Sequence, residues 1–228
     1  MSSKPIGAAE AARLGVAADT CGAANADAVE PKCRLPRVRD RIFASARDLF
    51  SRYGLRGVGV DAIACDAGTN KMSFYRNFAS KDDLVAECLQ ESEREFWEWW
   101  DQLIGPLAGQ PRKQIETLFD GFVTKVCNDE DRTRGCALAN AIVEIPDLEH
   151  PGRKVTVEFK ARVRDRFGEM AREMNARDPE VLADGLLLLM DGSYLSRLAF
   201  GDEGPIKSAG KAALALMDHF CAGQDCSG

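Results

Sequence analysis

Apolar residues recur every three to four positions through most of this chain, and no stretch shows the strict alternation of a strand. Val38, Ile42, Ala46, Leu49 and Phe50 fall on one stripe, with Arg39, Arg41, Arg47 and Arg52 largely outside it. That pattern predicts a first helix that begins after Pro36 and ends at Tyr53 and Gly54, where glycine can take a left-handed cap. A short LRGVG loop leads to a second helix over 60–67. Gly68 marks a tight turn, and a third helix follows over about 70–77. Ser80, with Asp83 three residues on, is a capping box for a long fourth helix over about 81–103, stopped by Gly105 and Pro106. Further helices fit 113–127, 135–145, 154–175, 179–200 and 205–221, separated by breakers at 128–133, 146–152, 177–179 and 201–205. The expected fold is all-α, with a three-helix head over 36–82 and a larger helical body over 83–228. Residues 1–35, rich in Ala and Gly and without a clean helical period, read as a mobile extension.

Charge sharpens this division. Residues 34–90 hold ten Lys/Arg against seven Asp/Glu, whereas residues 91–228 hold seventeen against twenty-five. A basic module on an acidic body suits a protein that meets DNA with one end, although acidic surfaces also simply aid solubility. The eight cysteines form no CxxC pair and there are two histidines, so structural-zinc spacing is absent and no cofactor is expected. No apolar run approaches the roughly 20 residues needed to span a bilayer, and no secretory leader is visible. The cytoplasm is the expected compartment, where cysteines stay reduced.

The third helix carries the chemistry. Asn70, Lys71, Ser73, Tyr75, Arg76 and Asn77 surround an apolar anchor of Phe74 and Phe78, the composition of a helix that touches phosphates and base edges while its back packs on a small core. The run Ile63-Ala64, Ala67-Gly68, Ser73-Phe74-Tyr75, Phe78 and Ser80-Lys81, extended upstream to Arg37 and on to Leu89, resembles the DNA-binding segment of the TetR family of bacterial transcriptional regulators. The resemblance implies that 70–77 is the recognition helix. Lys71 and Met72 would face bases, Ser73 and Tyr75 would meet a phosphate or base, Arg76 and Asn77 would lie nearby, and Lys81 would bind phosphate. Tyr75 could instead complete the head's core. The chain departs from the family pattern at Met72, at Gly59 in place of a capping hydroxyl, and at Asp61, where a polar or basic residue is usual.

The same resemblance implies a body that dimerises and binds a small molecule. RGCALANAIVEIPDLEHPGRK (134–154) and LLLLMDGSYLSRLAFGDEGP (186–205) look like segments of one group of TetR-family C-terminal domains. The apolar run 186–190 is expected to be buried on more than one side and, with the last helix, to form a two-fold dimer. Phe96, Trp97, Trp100, Phe119, Phe122, Cys136 and Asn140 are the candidate walls of an effector cavity, although aromatics at this spacing serve a solid core equally well. The partners expected are an operator in double-stranded DNA, a second copy of the chain, and an unidentified, largely apolar effector that releases a repressor. Two alternatives stand beside it: a regulator without effector, and a redox sensor in which Cys127 and Cys136 flank a loop holding Arg132 and Arg134. No nucleophile pair or phosphate-cradling glycine loop points to an enzyme.

Overall fold

A computed structural model describes residues 36–128 and 136–221; the expected mobile extension at 1–35 lies outside them. Among the described residues the chain is helical and has no strand. Helices α1 (Val38–Tyr53), α2 (Val60–Asp66) and α3 (Lys71–Asn77) form the head. They are followed by α4 (Lys81–Ile104), α5 (Pro111–Cys127), α6 (Ala137–Glu144), α7 (Pro151–Glu173), α8 (Pro179–Phe200) and α9 (Ala209–Cys221). None of these helices is long and apolar enough to cross a membrane.

Several helix ends shift by one to three residues, and two of the differences have clear local reasons. Residues 146–152 read as a breaker, but α7 starts at Pro151, because proline tolerates the first helical position and His150 caps it. The His150 Nδ1 accepts from the Gly152 amide at 3.0 Å. The last expected helix divides into a 3₁₀ turn, Pro205–Ser208, and α9; the turn buries Ile206. The capping box is present as expected, with Ser80 Oγ accepting from the Asp83 amide at 3.0 Å.

One core runs through head and body. Ile42, Ala46, Phe50, Ile63, Phe74 and Phe78 close the head, and Leu84, Val85 and Leu89 of α4 continue it without a break. Both halves therefore share α4, and a boundary at 82/83 falls in its first turn. In the body, α7 packs on both α4 and α8. Gly152 allows the close approach of α7 to α4, since a Cβ there would sit 3.0 Å from Val85 Cγ1 and 3.1 Å from Leu89 Cδ1. Trp100, Phe119, Phe122 and Phe167 are fully buried, and each such side chain contributes about 1.5–3 kcal/mol by leaving water.

Candidate functional site

The head is a helix-turn-helix. Gly68, at φ +61°, makes the turn between α2 and α3, and the amides of Gly68 and Thr69 donate to Cys65 O and Ala64 O at 3.0 and 2.9 Å. Asn70 then caps α3, its Oδ1 accepting from the Ser73 amide at 2.9 Å. Phe74 and Phe78 are buried beneath, their rings 5.7 Å apart. With that side anchored, Lys71, Met72, Tyr75 and Arg76 share the exposed face of α3. Tyr75 stands in solvent with its ring edge-on to Phe74, so it does not complete the core. Ser73 and Asn77 are half-buried, and Asn77 Nδ2 donates to Ser73 O at 2.7 Å.

Two of the expected DNA contacts are already occupied within the protein. Lys71 Nζ lies 3.2 Å from Asp61 Oδ2, the acidic residue at the second position of α2. Lys81 Nζ donates to Leu55 O at 2.6 Å and sits 5.9 Å from the Phe50 ring centroid. Burial lowers the Lys81 pKa below the usual lysine range, against the opposing pull of Asp82 and Glu144. The structure thus places Lys81 under the α1–α2 loop, where a loop carbonyl needs a donor, and not out on the face of α3.

Several polar ties between head and body had no signal in the sequence. Arg47 grips Glu95 with both terminal nitrogens, and Arg39 bonds Glu87 one stretch earlier on the same two helices. The Arg56 amide donates to Glu144 Oε2 at 3.2 Å, and His150 Nε2 lies 3.2 Å from Asp82 Oδ1. Partners 48 to 88 residues apart follow from tertiary packing alone.

A cavity of about 330 Å³ opens where these elements meet. Its wall includes Arg47, Ser51 and Leu55 from the head, Leu89, Ser92 and Phe96 from α4, Val126 from α5, Cys136 and Leu138 at α6, and Tyr194 and Arg197 from α8. Of the expected wall, Phe96 and Cys136 are here. Trp97, Trp100, Phe119 and Phe122 are core instead: Trp100 and Phe119 pack on Phe167, Phe122 meets Tyr194 edge-on at 4.8 Å, and Trp97 lies under Arg162 and Arg166. Asn140 is half-buried on α6 and is not among the wall residues. Helical period shows which side of a helix is apolar; it does not show whether neighbours fill the space facing it.

The family model for bacterial regulatory proteins of the TetR type matches residues 42–88, which span α1 to the start of α4. Over 151 residues the chain is 24% identical to the transcriptional regulator TcmR of Streptomyces glaucescens, covering 66% of this chain and 65% of that one. A transcriptional repressor of Streptomyces coelicolor is 37% identical over 51 residues, 22% of this chain and 27% of its own. The chain spans less than two thirds of the length of either relative. Among solved structures, a Streptomyces avermitilis protein described as a TetR transcriptional regulator is 28% identical with a TM-score of 0.68, covering 81% of this chain and 98% of that one. A TetR-family regulator from Streptomyces coelicolor shares the fold at a TM-score of 0.74 and 23% identity, over 81% and 96% of the two chains. The head of this chain matches the TetR family, and the whole described fold is similar to TetR-family regulators.

TetR-family proteins are transcription regulators and not enzymes. The cavity is lined by head and body together, as is a smaller one of about 180 Å³ bordered by Leu55, Arg56, Lys81, Glu144 and His150. Cys88, also on its wall, is a poor thiolate: burial pushes its pKa up to about 12. Of the redox alternative, Cys127 and Cys136 are half-buried, and the loop with Arg132 and Arg134 lies outside the described residues.

Proposed function

We propose that this protein is a sequence-specific DNA-binding transcriptional regulator, a repressor that a small, largely apolar effector releases from its operator. Residues 36–82 act as the DNA-binding head and residues from 83 on as the body. Lys71, Met72, Tyr75 and Arg76 face the major groove, with Ser73 and Asn77 at its edge. Lys81 acts indirectly, by holding the α1–α2 loop. The effector site is the head–body cavity, and the apolar residues exposed on α8 pair two copies so that two heads meet successive major grooves about 34–36 Å apart. The protein works in the cytoplasm, where its operator is.

The observation that carries this reading is the cavity's shared wall. A ligand there touches α1 through Arg47 and Ser51, the α1–α2 loop through Leu55, and α4 through Ser92 and Phe96. It can bias the angle between head and body without any relay, provided it binds the two arrangements unequally. A tenfold loss of operator affinity needs about 1.4 kcal/mol of such coupling. The Streptomyces coelicolor relative named as a repressor supports the sign of regulation. Selection from random DNA with the purified protein tests the head, and a metabolite panel scored by melting temperature and by operator release tests the cavity. A protein that selects no sequence overturns the reading. One that selects a sequence yet responds to no ligand is a regulator without effector.

A further inference from the structure

The family pattern leaves the position of Asp61 polar or basic, and this chain places a carboxylate there, 3.2 Å from the ammonium of Lys71. The contact crosses the turn at Gly68, joining the second residue of α2 to the first residue of α3. Both side chains are largely exposed, so the pair adds little to folding. Its consequence lies on the DNA side. A lysine that neutralises one phosphate releases about 0.9 counterions from duplex DNA, and this release supplies sequence-independent affinity. A lysine already facing a carboxylate brings little net charge to the DNA.

We propose that Asp61 is a specificity-determining residue: by pairing with Lys71 on the groove-facing side of α3, it removes about one lysine's worth of sequence-independent attraction to DNA and leaves binding more dependent on base edges. Discrimination is a difference between affinities, and an acidic group set against the backbone lowers the competing affinity without touching a base. The α3 face retains Met72, Tyr75 and Arg76, none of which is tied to Asp61, for base and groove contacts. The inference rests on the reading of the head as DNA-binding.

The test measures affinity for the selected operator and for random duplex DNA across a salt series, for the full chain and for Asp61→Asn, Lys71→Met and the double variant. Asp61→Asn should raise affinity for random DNA on the order of tenfold at 0.1 M salt and steepen the salt slope by about one unit. The ratio of operator to random affinity should shrink. In the Lys71→Met background the same change should have a much smaller effect, since Asp61 acts through Lys71. Unchanged random-DNA affinity in Asp61→Asn overturns the inference. So does an equal gain in both backgrounds, which would make Asp61 a general repulsive charge. If the parent protein selects a sequence and either result is found, the inference alone fails. If the parent selects none, the DNA-binding reading fails and takes the inference with it.

Discussion

Glu95 on α4 accepts from both terminal nitrogens of Arg47 on α1, at 2.9 and 2.6 Å, and both residues line the head–body cavity. Arg39 and Glu87 repeat the pairing eight residues earlier on each helix, so α1 and α4 run side by side in one direction and are clamped twice. Hydrogen bonding to Glu95 raises the Arg47 pKa further, keeping the rim charged at any working pH.

Glu95→Gln should loosen this clamp. The pair is partly exposed, so stability should fall by no more than about 1 kcal/mol, a few degrees of melting temperature. Operator affinity should fall by about three- to tenfold, because the head no longer has one preferred orientation. Fluorescence anisotropy beside a thermal melt separates the two effects. A melting shift with unchanged operator affinity would show that the clamp is structural only.

The proposed dimer seam on α8 can be tested without damaging the core. Val181, Leu188 and Leu195 stand seven residues apart on α8, and Leu188 and Leu195 are 71% and 69% exposed in the single chain. Leu188→Glu should leave helicity intact, give a monomer by light scattering at micromolar concentration, and weaken operator binding by about a hundredfold or more through lost avidity. Leu214, half-buried against the core, behaves differently: Leu214→Glu should unfold the chain. A dimeric Leu188→Glu protein would place the interface elsewhere.

Trp100 is the residue for a core measurement. It is fully buried, and its Nε1 has no hydrogen-bond partner among the described residues. Trp100→Ala should cost about 3–5 kcal/mol in chemical denaturation. Trp100→Phe should cost clearly less, because it also removes a buried unsatisfied donor worth roughly 1–3 kcal/mol. Equal losses for the two would mean that the indole nitrogen is satisfied in solution.

Cys88 sets a pH expectation. Its folded pKa, pushed up to about 12 from a thiol's usual 9, lies above the unfolded value. The stability it contributes is therefore complete below pH 9 and is lost as pH rises from 9 towards 12. Cys88→Ala should flatten the alkaline limb of a stability–pH curve. At neutral pH, iodoacetamide should modify exposed Cys65 and spare Cys88, as read by peptide mass spectrometry. Rapid native-state labelling of Cys88 would restore weight to a redox reading.

The head was legible because its determinants are local. Gly54 and Gly68 stop helices, Asn70 and Ser80 cap them, and Phe74 with Phe78 marks one side of α3, all within a few residues of what they control. The exposed face of α3, with Lys71, Met72, Tyr75 and Arg76, follows from that anchoring. The run 186–190 was legible only as apolar. Packing divides it, burying Leu186 and Met190 and leaving Leu188 in solvent.

The sequence by itself determined the all-α class, the order of the helices and the position of the turn, since helical period, caps and breakers act over one or two turns of chain. Tertiary structure alone decided the rest. It sent Trp97, Trp100, Phe119 and Phe122 into a filled core and left Phe96 beside a void. It tied Lys81 to a loop carbonyl, Lys71 to Asp61, and Arg47 to Glu95. A cavity is the space that several helices fail to fill together, and an ion pair is a distance between residues far apart in sequence. Neither is a property of any one segment, and so neither leaves a mark on the pattern of a segment.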